Sequence, residues 1–140
     1  MNEQRLLAID FGKKRIGIAV TDPLNLFAYP LITILNDTKI WNNLSKIISE
    51  YNVVKLIIGY PIKENGDESV SSREVLKFKE ELGKKSNLPI VLIDERYSSE
   101  IARQRIISSV PSRKKRRDKS LLDKNAAAVI LEDYLNIKEK

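Results

Sequence analysis

Hydrophobic and polar positions alternate with a period of two at the start of the chain and recur with a helical period later. In RLLAIDFG, Leu7, Ile9 and Phe11 fall to one side while Leu6, Ala8 and Asp10 fall to the other, which predicts a first strand over Arg5–Phe11. Gly12-Lys13-Lys14-Arg15 is a connection of hairpin length, and Ile16–Asp22 reads as the second strand. Pro23 and Asn25 mark the next turn, and a third strand around Ala28–Leu35 completes an antiparallel meander. The period then changes. Ile40, Trp41, Leu44, Ile47, Ile48 and Tyr51 form the apolar stripe of an amphipathic helix.

Val53–Tyr60 is a mostly apolar strand closed by Gly59 and Pro61, followed by a polar loop, Lys63–Ser69, with a turn signal at Asn65-Gly66. Ser71 and Glu74 have the spacing of a capping box, and Val75, Phe78 and Leu82 share one face of the helix they open. Pro89–Glu95 is a fifth strand, and Ser98 or Ser99 caps a short helix that ends near Ser109. A basic loop, Pro111–Lys119, leads into a last helix from about Ser120 to Ile137. The order βββαβαβαα puts antiparallel strands first and β-α-β crossovers later. It predicts one α/β domain over residues 1–140, with a mixed sheet and helices on its faces.

Composition narrows the chemistry. With 140 residues, 42% hydrophobic and 31% charged, the chain can bury a core and is globular. No apolar run approaches the ~20 residues of a membrane span. The N-terminus lacks a signal-peptide pattern, so a cytoplasmic location is expected. Absence of cysteine removes disulfides and thiolate metal sites. Absence of histidine removes Ser-His-Asp triads, Cys-His dyads and nearly all zinc chemistry. Any catalysis must therefore fall to carboxylates, lysines, hydroxyls or an oxygen-ligated metal. A formal net charge of +6 favours a polyanionic partner, although charge alone is a weak sign.

Three acids stand out. Asp10 ends an apolar strand, either as the acid that starts a turn before Gly12 or as a site carboxylate beside Lys13, Lys14 and Arg15. Asp123 shares its helical face with Ala126, Ala127 and Ile130. It is either a first-turn acid favoured by the helix dipole or a carboxylate aimed at the sheet by small neighbours. At the end of the fifth strand the alternation groups Asp94 with Ile90 and Leu92, and Glu95 with Val91 and Ile93, so only one of the two can share a given cleft. The run Arg113-Lys114-Lys115-Arg116-Arg117 is a solvated loop or a clamp on a phosphate backbone. Without interleaved aromatics it has no stacking platform of its own. Acids that converge on one sheet edge can hold a hard cation such as Mg²⁺, which activates water and stabilises a leaving oxygen in phosphodiester hydrolysis.

The segments AIDFGKKRIGIAVTD, IIGYP, IDERYSS and DKNAAAVILEDYL resemble, in order and spacing, the YqgF (RuvX) family of Holliday-junction-resolvase-like proteins and pre-16S rRNA nucleases. The resemblance covers nearly the whole chain. It implies an RNase H-like fold with a five-stranded mixed sheet of order 3-2-1-4-5 flanked by helices. It also implies catalytic and metal-binding roles for Asp10, Glu95 and Asp123, with Mg²⁺ or Mn²⁺ as cofactor. Lys14 and Arg15 match the family's basic pair and Arg96 its arginine after the acid; these, with Arg113, Lys114, Lys115, Arg116 and Arg117, are the expected substrate contacts. Maturation of the 5′ end of 16S rRNA in the cytoplasm is the implied role, with precursor ribosomal particles as partners. Ser98-Ser99 replaces the more usual Thr-Thr, and no acid ends the strand VVKLIIGYP, unlike in junction resolvases. Branched DNA as substrate and a non-catalytic nucleic-acid-binding module are the alternatives. An actin-like nucleotide domain, which also begins D-x-G, needs two domains and does not fit the length.

Overall fold

The computed structural model describes residues 3–61, 70–95, 98–109 and 119–138. Its elements run β1 (Arg5–Asp10), β2 (Arg15–Thr21), β3 (Ala28–Leu35), α1 (Ile40–Glu50), β4 (Val53–Pro61), α2 (Val70–Lys85), β5 (Ile90–Glu95), α3 (Ser98–Ser109) and α4 (Lys119–Lys138). The five strands form one sheet in the order β3-β2-β1-β4-β5. β2 is antiparallel to both β1 and β3, and β4 is parallel to both β1 and β5. The carboxyl ends of β1, β4 and β5 therefore share one edge.

The alternation in β1 sorts the core into two layers. Leu7 and Ile9 pack with Leu44, Ile47, Val75, Phe78 and Leu82 of α1 and α2, and Phe11 packs against that cluster. Leu6 and Ala8 pack with Ala127, Ile130, Leu131 and Leu135 of α4. β4 lies between both layers, so Leu56, Ile57 and Ile58 are all fully buried, as expected of a strand covered on both faces. α3 forms an outer layer on α4 through Ala102, Ala126 and Val129, and Arg105 grips Glu132 with two hydrogen bonds of 2.9 and 2.7 Å.

β3 is one of the two outer strands, and its register with β2 slips between Ile18 and Ala19, where Pro30 stands opposite Ala19. The turn before it is held by Asp22, whose carboxylate accepts hydrogen bonds from the main-chain N–H groups of Leu24, Leu26 and Phe27, while Asn25 takes φ 56°. The expected cap at Ser71 is not where α2 begins, because Val70 is already helical. The hydroxyl turned inward is that of Ser72, which donates to the Pro61 carbonyl oxygen. Among the described residues no helix is long and apolar enough to cross a membrane.

The helix and the sheet come main chain to main chain at Gly17 of β2. A methyl group there would lie 2.0 Å from the Asp123 carbonyl oxygen and 2.8 Å from the Lys124 nitrogen, all main-chain atoms of α4. Ala8 and Ala19 beneath the helix and Ala127 on it keep the two layers this close. Gly17→Ala is expected to destabilise the fold by about 1–3 kcal/mol in urea unfolding, the usual cost of overpacking. Gly83→Ala, in α2 with open space around it, should instead stabilise it by about 0.5–1 kcal/mol through helix propensity.

Candidate functional site

In the sheet register Asp10 stands opposite Gly17, and Gly17 stands opposite Thr33. Directly opposed residues project to the same face, so the three form a row on the α4 side. The first turns of α4 cross that row. Thr33 donates from its hydroxyl to the Ser120 carbonyl oxygen, and the main chain at Asp123 rests on Gly17. Asp123 is thereby fixed above β2, the strand paired with that of Asp10 at the usual spacing of about 5 Å.

The electrostatics agree with this placement. Burial first, and then repulsion from the Asp123 carboxylate, push the Asp10 pKa from 3.8 up to about 7. The Asp10 carboxyl therefore sits in a poorly hydrated neighbourhood within electrostatic reach of Asp123. Asp123 is partly neutralised by Arg15, whose Nε donates a 2.9 Å hydrogen bond to Oδ2. Arg15 lies two residues before Gly17, on the same face of β2.

The three cations of the β1–β2 turn separate. Lys13 turns to the other side of the sheet and pairs with Glu74 of α2 at 3.2 Å. Lys14 is exposed and, among the described residues, has no ion-pair partner. Only Arg15 reaches the carboxylates, and it does so as a counter-ion to Asp123. Asp123 also lies at least four residues inside α4, whose first turn holds no acid. Helix-dipole stabilisation fades beyond the first turn, so it does not account for Asp123. Ala126, Ala127 and Ile130, on its face, are fully buried as the spacing requires.

Glu95 is the last residue of β5, opposite Pro61 and two positions beyond Ile93, which packs beneath α4. Its side chain lies outside the described atoms, as do Arg96 and the basic run Arg113, Lys114, Lys115, Arg116 and Arg117. Asp94 is exposed. Among the described residues no three acids gather as a metal-holding group, so Asp10 and Asp123 form a pair. That pair suits a hard divalent cation, which takes oxygen ligands, keeps several waters and would relieve the repulsion that raises the Asp10 pKa.

Sequence reasoning missed Gly17 and the pairing of Arg15 with Asp123. A signal was present. Ile16, Ile18 and Val20 of β2 face the large core cluster, whereas Arg15, Gly17 and Ala19 alternate with them as one long cation and two small residues. An apolar strand with one nearly bare face marks a closely seated helix.

A mixed sheet of this order with helices on both faces is the RNase H-like fold of the RuvC-type resolvases. The chain superposes on T. thermophilus RuvC in complex with Holliday junction substrate with a TM-score of 0.57, at 13% identity over 96% of each chain. For fowlpox virus resolvase with its Holliday junction DNA the TM-score is 0.55, at 15% identity, covering 98% of this chain and 100% of that one. At such identities the likeness is one of fold. In sequence, the RuvX family profile, described as Holliday junction resolvase, matches residues 4–137. A protein of Desulforamulus reducens named "Putative pre-16S rRNA nuclease" is 42% identical over 134 residues, which span 94% of this chain and 96% of that one. A Flavobacterium psychrophilum protein of the same name is 39% identical over 137 residues, spanning 96% and 98%. The chain belongs to the RuvX family.

The raised pKa of Asp10 has a testable sign. Between pH 3.8 and about 7 the folded state keeps a proton that the unfolded chain releases. The contribution is thus fully present below pH 3.8 and is lost as pH rises through about 7. In chelator, Asp10→Asn should be more stable than wild type at pH 8, by a few kcal/mol at about 1.4 per pKa unit, and the gap should close towards pH 3.5. Urea unfolding at the two pH values measures it.

Proposed function

We propose that the protein is a divalent-metal-dependent endonuclease that hydrolyses phosphodiester bonds in the 5′ region of precursor 16S rRNA. The observation that carries this reading is the convergence of Asp10 and Asp123 across Gly17, two carboxylates held together against repulsion and dehydration. The names of the relatives support an rRNA precursor as the substrate.

Asp10 offers its oxygens from the sheet and Asp123 from the helix, and Glu95, at the same strand edge, is the third ligand in this proposal. Mg²⁺ or Mn²⁺ held there supplies activation of a water and stabilisation of the charge that develops on the phosphate. Arg15 fixes the Asp123 carboxylate by donating from Nε to Oδ2, the one side-chain bond it makes among the described residues. The remaining guanidinium N–H groups suit a phosphate oxygen. Lys14, exposed at the turn, and Arg96, Arg113, Lys114, Lys115, Arg116 and Arg117 supply further backbone contacts, which position a strand without reading its sequence. A cytoplasmic precursor ribosomal particle is the setting in which such a substrate is met. Branched DNA is the second reading, favoured by the description of the family profile.

Wild-type protein with Mg²⁺ or Mn²⁺ is expected to cut structured RNA carrying the 16S 5′ flank, and faster than a four-way DNA junction. Asp10→Asn, Glu95→Gln and Asp123→Asn should each slow cleavage at least about a hundredfold. Unchanged cleavage by a folded Asp10→Asn variant would remove Asp10 from the mechanism. Mn²⁺ at a hundred times its dissociation constant should stabilise the wild type by about 2.7 kcal/mol in thermal melts and leave Asp10→Asn almost unmoved. RNA binding with no Mn²⁺ stabilisation and no cleavage would instead identify a non-catalytic module.

A further inference from the structure

On the face of the sheet opposite α4, a cleft of about 450 Å³ opens beside the β1–β2 turn. Its apolar wall is a run of three rings from three elements. Phe11 tilts against Phe78 with centroids 4.8 Å apart, and Trp41 stacks on Phe78 at 5.5 Å and 12°. The Lys85 ammonium also lies over the Trp41 ring, 5.3 Å from its centre, on a flexible stem that can move aside. Phe11 follows Asp10 directly in the chain. The turn is tied to the cleft by Asn36, whose Nδ2 donates to the Gly12 carbonyl oxygen at 2.9 Å and whose main-chain N–H donates to that of Lys14 at 3.0 Å.

We propose that this cleft holds one unpaired base of the RNA strand whose backbone crosses the β1–β2 turn to reach Asp10 and Asp123. The proposal rests on the nuclease reading above and assigns a subsite to it. Charge within the cleft argues for a base and against a phosphate. Asp37, Glu74 and Glu81 offset Lys13 and Lys77 on its walls and Lys85 over Trp41, and Lys13 is already paired with Glu74, so the cleft offers a phosphate no surplus of positive charge. Carboxylates repel phosphate but accept hydrogen bonds from exocyclic amino groups of bases. The phosphates are left outside, over the turn, where Lys14 is exposed. Extruded bases stacked on aromatic side chains are the usual means by which single-stranded RNA is gripped. The structure thus separates the two tasks: rings and acids hold a base on one face, and a carboxylate pair acts on a neighbouring phosphate on the other.

Trp41 is the only tryptophan in the chain, so its emission reports on this cleft. The wild-type protein in chelator is titrated with an eight-nucleotide single-stranded RNA, the same RNA with abasic sites, and a blunt duplex, with binding followed separately by anisotropy of a labelled RNA. Intact single strands should quench Trp41 saturably. The abasic strand should bind about tenfold more weakly without quenching, and the duplex should not quench. Trp41→Leu should weaken the intact strand about tenfold and leave the abasic strand unaffected. RNA that binds by anisotropy without altering Trp41 emission, or abasic RNA that quenches as well as intact RNA, overturns the subsite and leaves the nuclease reading standing. No binding of any RNA overturns both.

Discussion

Everything in the site depends on how closely α4 lies on the sheet. The contact is between main chains, Gly17 of β2 against Asp123 and Lys124 of α4, and small residues on both surfaces make it possible. Ordinary side chains beneath the helix would lift it by several ångströms and carry Asp123 away from Asp10. The same seat is secured at one end by Thr33 on the Ser120 carbonyl and along its length by Ile130, Leu131 and Leu135 in the core. Burial of this apolar stripe offsets the cost of holding two like charges together. In this sense a packing device, and not an attractive interaction within the site, creates the acid pair.

The acid pair in turn explains why the neighbourhood is arranged as it is. Arg15 is spent on Asp123, and Asp10, buried and facing the Asp123 carboxylate, holds its proton to near neutrality. A turn written Lys13-Lys14-Arg15 looks like a uniform basic patch, yet its members have three fates: a bridge to α2, open solvent, and a counter-ion inside the site. The cations therefore do not neutralise the carboxylates wholesale, which leaves them able to accept a doubly charged ion.

Much of this could be read from the sequence because it is written in local periods. The strands, the helices, the separation of Asp10 from Leu7 and Ile9, and the burial of the Asp123 face all follow from alternation or from a helical stripe. The strand order came from the resemblance of the motifs, and the pairing confirms it. What local periods could not carry were partners far along the chain. Arg15 and Asp123 are 108 positions apart, and Lys13 meets Glu74 from a different element. The Ser71 cap failed because spacing alone does not say whether a helix has already begun. Trp41 and Phe78 were each assigned to a helix stripe, but their stacking with Phe11 arises only where three elements meet.

Pro30 has a consequence for solubility. β3 ends the sheet, and Tyr29, Ile32 and Leu35 leave it with an apolar outer margin, the kind of strand that invites another chain to zip on. A proline at its third residue has no N–H to offer an incoming neighbour, and the register slip at the same level interrupts the regular ladder. One ring and one irregular pair thus make the β3 flank a poor template for a further strand, greasy though it is.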